Sequence, residues 1–241
     1  MKFHSDLFGW EYVWRNFAEE KAGTVVTDTG EEEGKLKYLS IPVTDSNSNS
    51  GLDAIKGAAP QVYFAPELHH GKKAPGCIAA IFYPSNDTFA FSIFQEKIHH
   101  QLGKALGMQD FQVRDNLFDG KFMIQGTDEQ IIQEMFESQA LRELILLYPP
   151  TVLHIDTKAA KTFKEFGLPA DYHAIVYKHD DVMDKLHQMQ AAFDIVVSIL
   201  QSIGNSGVIG GVSSHSKPKA AEISENQDTG GRKLHSPLLD R

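Results

Sequence analysis

The chain is poor in cysteine, with one, Cys77, among 241 residues. A lone thiol closes no intramolecular disulfide and rules out CxxC-type metal sites, as in a reducing compartment. Long apolar runs are also missing, and no window approaches the ~18 residues that suggest a membrane span. Asp6, Glu11, Arg15 and Glu19 break up the opening segment, so no apolar signal core is expected there. Basic clusters are scarce: "GKK" at 71–73 is the densest, and the net charge is -9. An acidic chain repels phosphate backbones and anionic membranes. Nucleic acid and membrane are therefore excluded as expected partners, and a cytoplasmic location is the default.

Catalytic signatures are absent as well. No G-x-S-x-G marks a nucleophile elbow. "GNSGVIGG" at 204–211 follows a helical pattern and lacks phosphate-loop spacing, so neither a P-loop nor a Rossmann site is indicated. Histidines come as the doublets His69–His70 and His99–His100. Neighbouring residues point to opposite faces of a strand and diverge by about 100° on a helix. Neither doublet can easily chelate one metal alone, and there is no HExxH. Glu67 beside the first doublet keeps a composite site in view. Polar loop and solvated helix face are the plain readings, and no cofactor is expected. Cys77 opens an apolar strand, where a buried structural thiol is expected.

What is present is strong patterning. In "SDLFGWEYVWRNFAEEKAG" (5–23), Leu7, Trp10, Trp14 and Phe17 share one helical face, with Ser5 or Asp6 as cap and Gly23 as stop. Strand-like runs follow at 24–27, 35–43, 61–66, 77–84 and 88–95, the last two joined by the turn sequence "PSND". The Ser/Asn/Gly-rich stretch 44–60 reads as a loop. A short helix is expected over 96–108.

Segments 110–115 and 120–126 predict a hairpin, and Thr127 with Gln130 a capping box for the helix that follows. Asp115 and Asp119 suit a turn, where carboxylates bind nearby backbone N–H groups. Phe118 and Phe122 are expected core anchors. Segments 151–156 and 172–178 predict a second hairpin across a lysine-rich connection. The final helix, capped by Asp180 or Asp181, carries Val182, Leu186, Met189, Phe193, Val196, Leu200 and Ile203 in a seven-residue repeat, with Gly204 as stop.

The expected fold is α+β: an antiparallel β-meander with an N-terminal helix, two hairpin–helix units and a long C-terminal amphipathic helix. The segments are 1–109, helix plus β-rich part; 110–204, the hairpin–helix part packed with it; and 205–241, a disordered tail too poor in apolar residues to offset its ordering entropy.

The stretches "WRNFAEEKAGTVV", "LGMQD", "FDGKF" and "IQGTDE" resemble a bacterial family of proteins with no assigned activity, over about residues 14–203. The resemblance implies an α+β fold and a compact Phe118–Asp119…Phe122 motif, and transfers no catalytic residue. Some relatives carry membrane helices, which this chain lacks.

The leading expectation is a non-catalytic binding or regulatory module that meets a protein partner or itself. One alternative is a metal-dependent or acid–base hydrolase using His69, His70, His99, His100 or Asp119. Another is an apolar-ligand or lipid module with Trp10, Trp14 and the Phe-rich strands around a pocket.

Overall fold

The computed structural model describes residues 9–29, 34–44, 60–67, 76–95 and 109–209. Over these residues the fold is α+β, built on one nine-stranded antiparallel sheet in the order β1-β2-β3-β4-β9-β8-β5-β7-β6. The strands are β1 (Thr24–Thr27), β2 (Leu36–Pro42), β3 (Gln61–Glu67), β4 (Gly76–Pro84), β5 (Phe91–Gln95), β6 (Gln109–Phe111), β7 (Phe122–Gly126), β8 (Val152–Asp156) and β9 (Tyr172–His179). The helices are α1 (Trp10–Glu20), α2 (Asn116–Asp119), α3 (Glu129–Met135), α4 (Gln139–Leu147), α5 (Ala159–Thr162) and α6 (Leu186–Asn205).

Alternation gives the sheet its core face. One cross-strand row runs Val25, Leu39, Phe64, Ala79, Tyr177, Leu153, Ile93, Ile124, Phe111. The seven inner members belong to the main hydrophobic core, and Val25 and Phe111 at the two ends are half-buried and pack against it. α6 lies on this face against β3, β4 and β9, and also meets α1, α3 and α4. Because it is covered on several sides, α6 buries Ala192, Ile195 and Ile199 as well as the expected Met189, Val196, Leu200 and Ile203. α1 adds Trp14 and Phe17, and the Trp14 Nε1–H donates to the Met183 carbonyl at 2.9 Å.

The meander β1 to β4 and the pairs β6–β7 and β8–β9, each followed by helix, match the expected architecture. Several local readings are corrected. The "PSND" turn does not join neighbours: β4 pairs with β3 and β9, and β5 with β8 and β7. Ser85 Oγ accepts Asp87 N–H and Asp87 Oδ1 accepts Phe89 N–H, so these residues carry the chain from one part of the sheet to another.

α1 begins at Trp10 with Gly9 as N-cap, while Ser5, Asp6 and Leu7 lie outside the described residues. α6 starts at Leu186, after Lys185, rather than at Asp180 or Asp181. Its stop is Gly207, at φ 81°, where the Val208 N–H reaches the Ile203 carbonyl. A residue without Cβ tolerates that left-handed turn. Val208 and Ile209 are buried, so packing continues past Gly204, and 210–241 lie outside the described residues.

The lysine-rich connection also holds more structure than its composition suggests. α5 and the 3-10 turn Lys164–Phe166 bring Phe163 and Phe166 onto the second sheet face, against Phe82. Phe166 also meets Tyr38 and Tyr63.

Candidate binding corner

The segment 114–136 forms a corner welded by side chains. Asp115 is the N-cap of α2, and its Oδ1 accepts Leu117 N–H at 3.1 Å and Phe118 N–H at 3.2 Å. Its Oδ2 meets Arg142 Nε at 2.9 Å. The Arg142 hydrogen bond and these backbone donors hold the Asp115 carboxyl below its ordinary value. Arg142 Nη1 also donates to the Phe136 and Glu137 carbonyls, which lie at the C-terminal end of α3. One guanidinium therefore ties α2, α3 and α4 together.

Asp119 does related work one turn on. Its Oδ1 accepts Val113 N–H at 2.9 Å and its Oδ2 accepts Asp115 N–H at 3.1 Å. These are the two neighbours of Arg114, which has φ 62° and an exposed side chain. An L-residue in the left-handed region stores strain of about 1–2 kcal/mol and persists where its surroundings fix it. Here the Asp119 carboxylate fixes both flanks.

Arg114 stands at a hollow of about 380 Å³ lined by Val113, Gln130, Gln133, Glu134, Phe136 and Arg142, among others. A second hollow of about 260 Å³ is lined by Asp110, Phe111, Gln112, Asp119, Phe122 and Met123. The two flank the segment that continues edge strand β6.

Phe118 and Phe122 pack beneath the corner, ring centroids 5.0 Å apart, and Phe118 meets Phe136 at 5.6 Å. Thr127 does not cap α3. Asp128 is the N-cap, accepting Ile131 N–H, while Thr127 Oγ1 accepts Ala90 N–H from the segment before β5. The adjacent strand claims Thr127 and leaves the cap to the next residue. Beside it, a Cβ on Gly126 would run into Ile132 Cδ1 and approach the Ala90 carbonyl to 3.0 Å.

His69, His70, His99 and His100 lie outside the described residues. Among the described residues, no three His, Cys, Asp or Glu side chains are grouped to hold a metal. Trp14 is buried, Trp10 is half-buried, and neither lines either hollow. Among the described residues, no helix is long and apolar enough to cross a membrane. Cys77 is buried, its thiol pushed up to about 12 by burial. Sequence reading missed Arg114 and Arg142; the one local signal was the pair of acids at 115 and 119 that brace them.

Fold and corner together define an α+β protein with a broad antiparallel sheet and a polar, hydrogen-bonded corner at one edge. No family model and no curated protein matches the chain. A crystal structure of the mycobacterial trehalose monomycolate transport factor A, TtfA, is similar over 80% of this chain and 94% of its own. That similarity has a TM-score of 0.46 at 6% identity, a level that fixes neither the fold nor the function of this chain.

Proposed function

We propose that the protein is a non-catalytic cytosolic binding module and that the 110–142 corner is its recognition surface for an extended protein segment. The observation that carries this reading is Arg114: exposed, strained, and held in place by Asp119 on both flanks. Strain kept by dedicated hydrogen bonds on a charged surface residue fits recognition better than folding. The two hollows beside it supply recesses for side chains of a bound segment. The acids that could have served as a general acid or base, Asp115 and Asp119, are occupied with backbone N–H groups and Arg142.

The test is selection from a random library of extended peptides on the full chain, with Arg114→Ala as counter-selection. Recovery of a peptide family lost on the variant is the expected result. A peptide family that binds the variant equally would move the recognition surface elsewhere. Steady turnover in a broad hydrolase screen, abolished by one point change, would overturn the non-catalytic reading.

A further inference from the structure

The edge of the sheet beside this corner carries a self-complementary sequence. β6 is the last strand in the sheet order, and among the described residues no strand covers its outer side. Gln109, Asp110, Gln112 and Arg114 are exposed, and Phe111 and Val113 are half-buried. The run 110–114 reads Asp-Phe-Gln-Val-Arg. In an antiparallel pair centred on Gln112, Asp110 of one chain, whose Oδ1 accepts Gln125 Nε2 at 2.9 Å, lies beside the Arg114 turn of the other, twice by symmetry. Phe111 stands opposite Val113, and Gln112 meets itself. Opposite charges and apolar pairs directly across an antiparallel ladder stabilise it. A two-fold centred on Asp110 would instead oppose two carboxylates, so charge selects the register.

Backbone direction fits the same register. The Val113 N–H is taken within the chain by Asp119 Oδ1 at 2.9 Å. Along an extended run alternate residues direct their N–H and C=O to opposite sides, which places those of Asp110 in β6, and of Gln112 just past its end, toward the edge left open among the described residues. Gln112 can then exchange two hydrogen bonds with its copy. The left-handed turn at Arg114 ends the extended run, so the pairing is short.

We infer that the partner of this edge is a second copy of the chain, added as a neighbouring strand through Asp110–Val113, with the Arg114 side chain at the turn beside Asp110 of the copy, so that two sheets join into one. The proposal deepens the binding reading and rests on it. A contact of five residues a side belongs to the small, transient class of interfaces, so association depends on concentration.

Sedimentation velocity of the full chain, from roughly micromolar to about millimolar protein, tests it together with Asp110→Arg and Arg114→Asp. The wild type is expected to rise in mass toward a dimer with concentration. Each single variant places like charges opposite and is expected to stay monomeric. Their equimolar mixture restores two opposite-charge pairs and is expected to recover the dimer, which also shows that both variants fold. A wild type monomeric throughout, variants that dimerise unchanged, or a mixture of folded variants that stays apart would each overturn the self-pairing. Should a variant fail to fold, hydrogen exchange of the wild type decides: Gln112 amide protection rising with protein concentration supports the pairing, and protection independent of concentration ends it. A monomer that still selects peptides through Arg114 ends the self-pairing and leaves the binding reading standing.

Discussion

The two hairpin–helix units share a plan and differ in what holds them. In the second, β8, β9 and α6, the helix buries an apolar surface of Met189, Ile195, Val196, Ile199, Leu200 and Ile203 against the sheet. In the first, β6, β7, α3 and α4, apolar packing is joined by carboxylate and guanidinium bonds to backbone groups at Asp115, Asp119, Asp128 and Arg142. Apolar burial is non-directional and forgiving of register, whereas hydrogen bonds fix angles. The second unit therefore supplies bulk stability, and the first supplies a defined surface.

This contrast can be tested from its largest consequence down. Phe122→Ala removes a ring that is 3% exposed and is expected to cost about 3–5 kcal/mol in denaturant unfolding, as large core truncations do. A negligible loss would mean that the first unit depends on its polar bonds alone. Arg142→Ala strands the part-buried Phe136 carbonyl, returns that of Glu137 to water, and is expected to cost about 1–3 kcal/mol. Unlike Phe122→Ala, it should also speed hydrogen exchange at residues 113–119 selectively. Equal acceleration in α6 would erase the distinction between the units.

A pH titration probes the second unit. Burial holds His154 and His173 below the ordinary histidine value. A depressed folded pKa means that the unfolded state binds the proton first, so this contribution is complete above the unfolded value. It is lost as pH falls from ~6.5 toward the folded value, by at most about 1.4 kcal/mol per pH unit for each group. His154→Gln is expected to flatten that slope; an unchanged slope would remove His154 from the account. The smallest effect belongs to Asp128→Asn, because Asn caps a helix about as well as Asp. Stability is expected to shift by less than ~0.5 kcal/mol, with Asp128→Ala costing ~1 kcal/mol.

Sequence patterning made the local elements legible. The spacing of Met189, Val196, Leu200 and Ile203 is a short-range property, and so is the turn chemistry of Asp115 and Asp119. The position of β5 was not legible, because its neighbours β7 and β8 follow it by many residues and any apolar strand could fill the slot. Thr127 and Asp128 are both good caps, and only the position of Ala90 decided between them. Phe163 and Phe166 were hidden among lysines in a stretch whose composition reads as a loop. At the corner, the bracing acids were visible, but the left-handed Arg114 they hold was not: nothing in an Arg side chain announces φ above zero.

The strand order has a consequence for how the chain is made. β8 and β9, the last of the described strands to leave a ribosome, sit in the middle of the sheet, between β4 and β5. Among the described strands, β5 has no neighbour on its inner side until β8 emerges at residue 156, and β4 none until β9 emerges at residue 179. Vectorial synthesis thus leaves two unfinished half-sheets with open inner edges, and folding must wait for distant contacts to close. A nascent chain stalled before β8 is expected to need a holding chaperone, while one released after α6 joins its halves in a single late step.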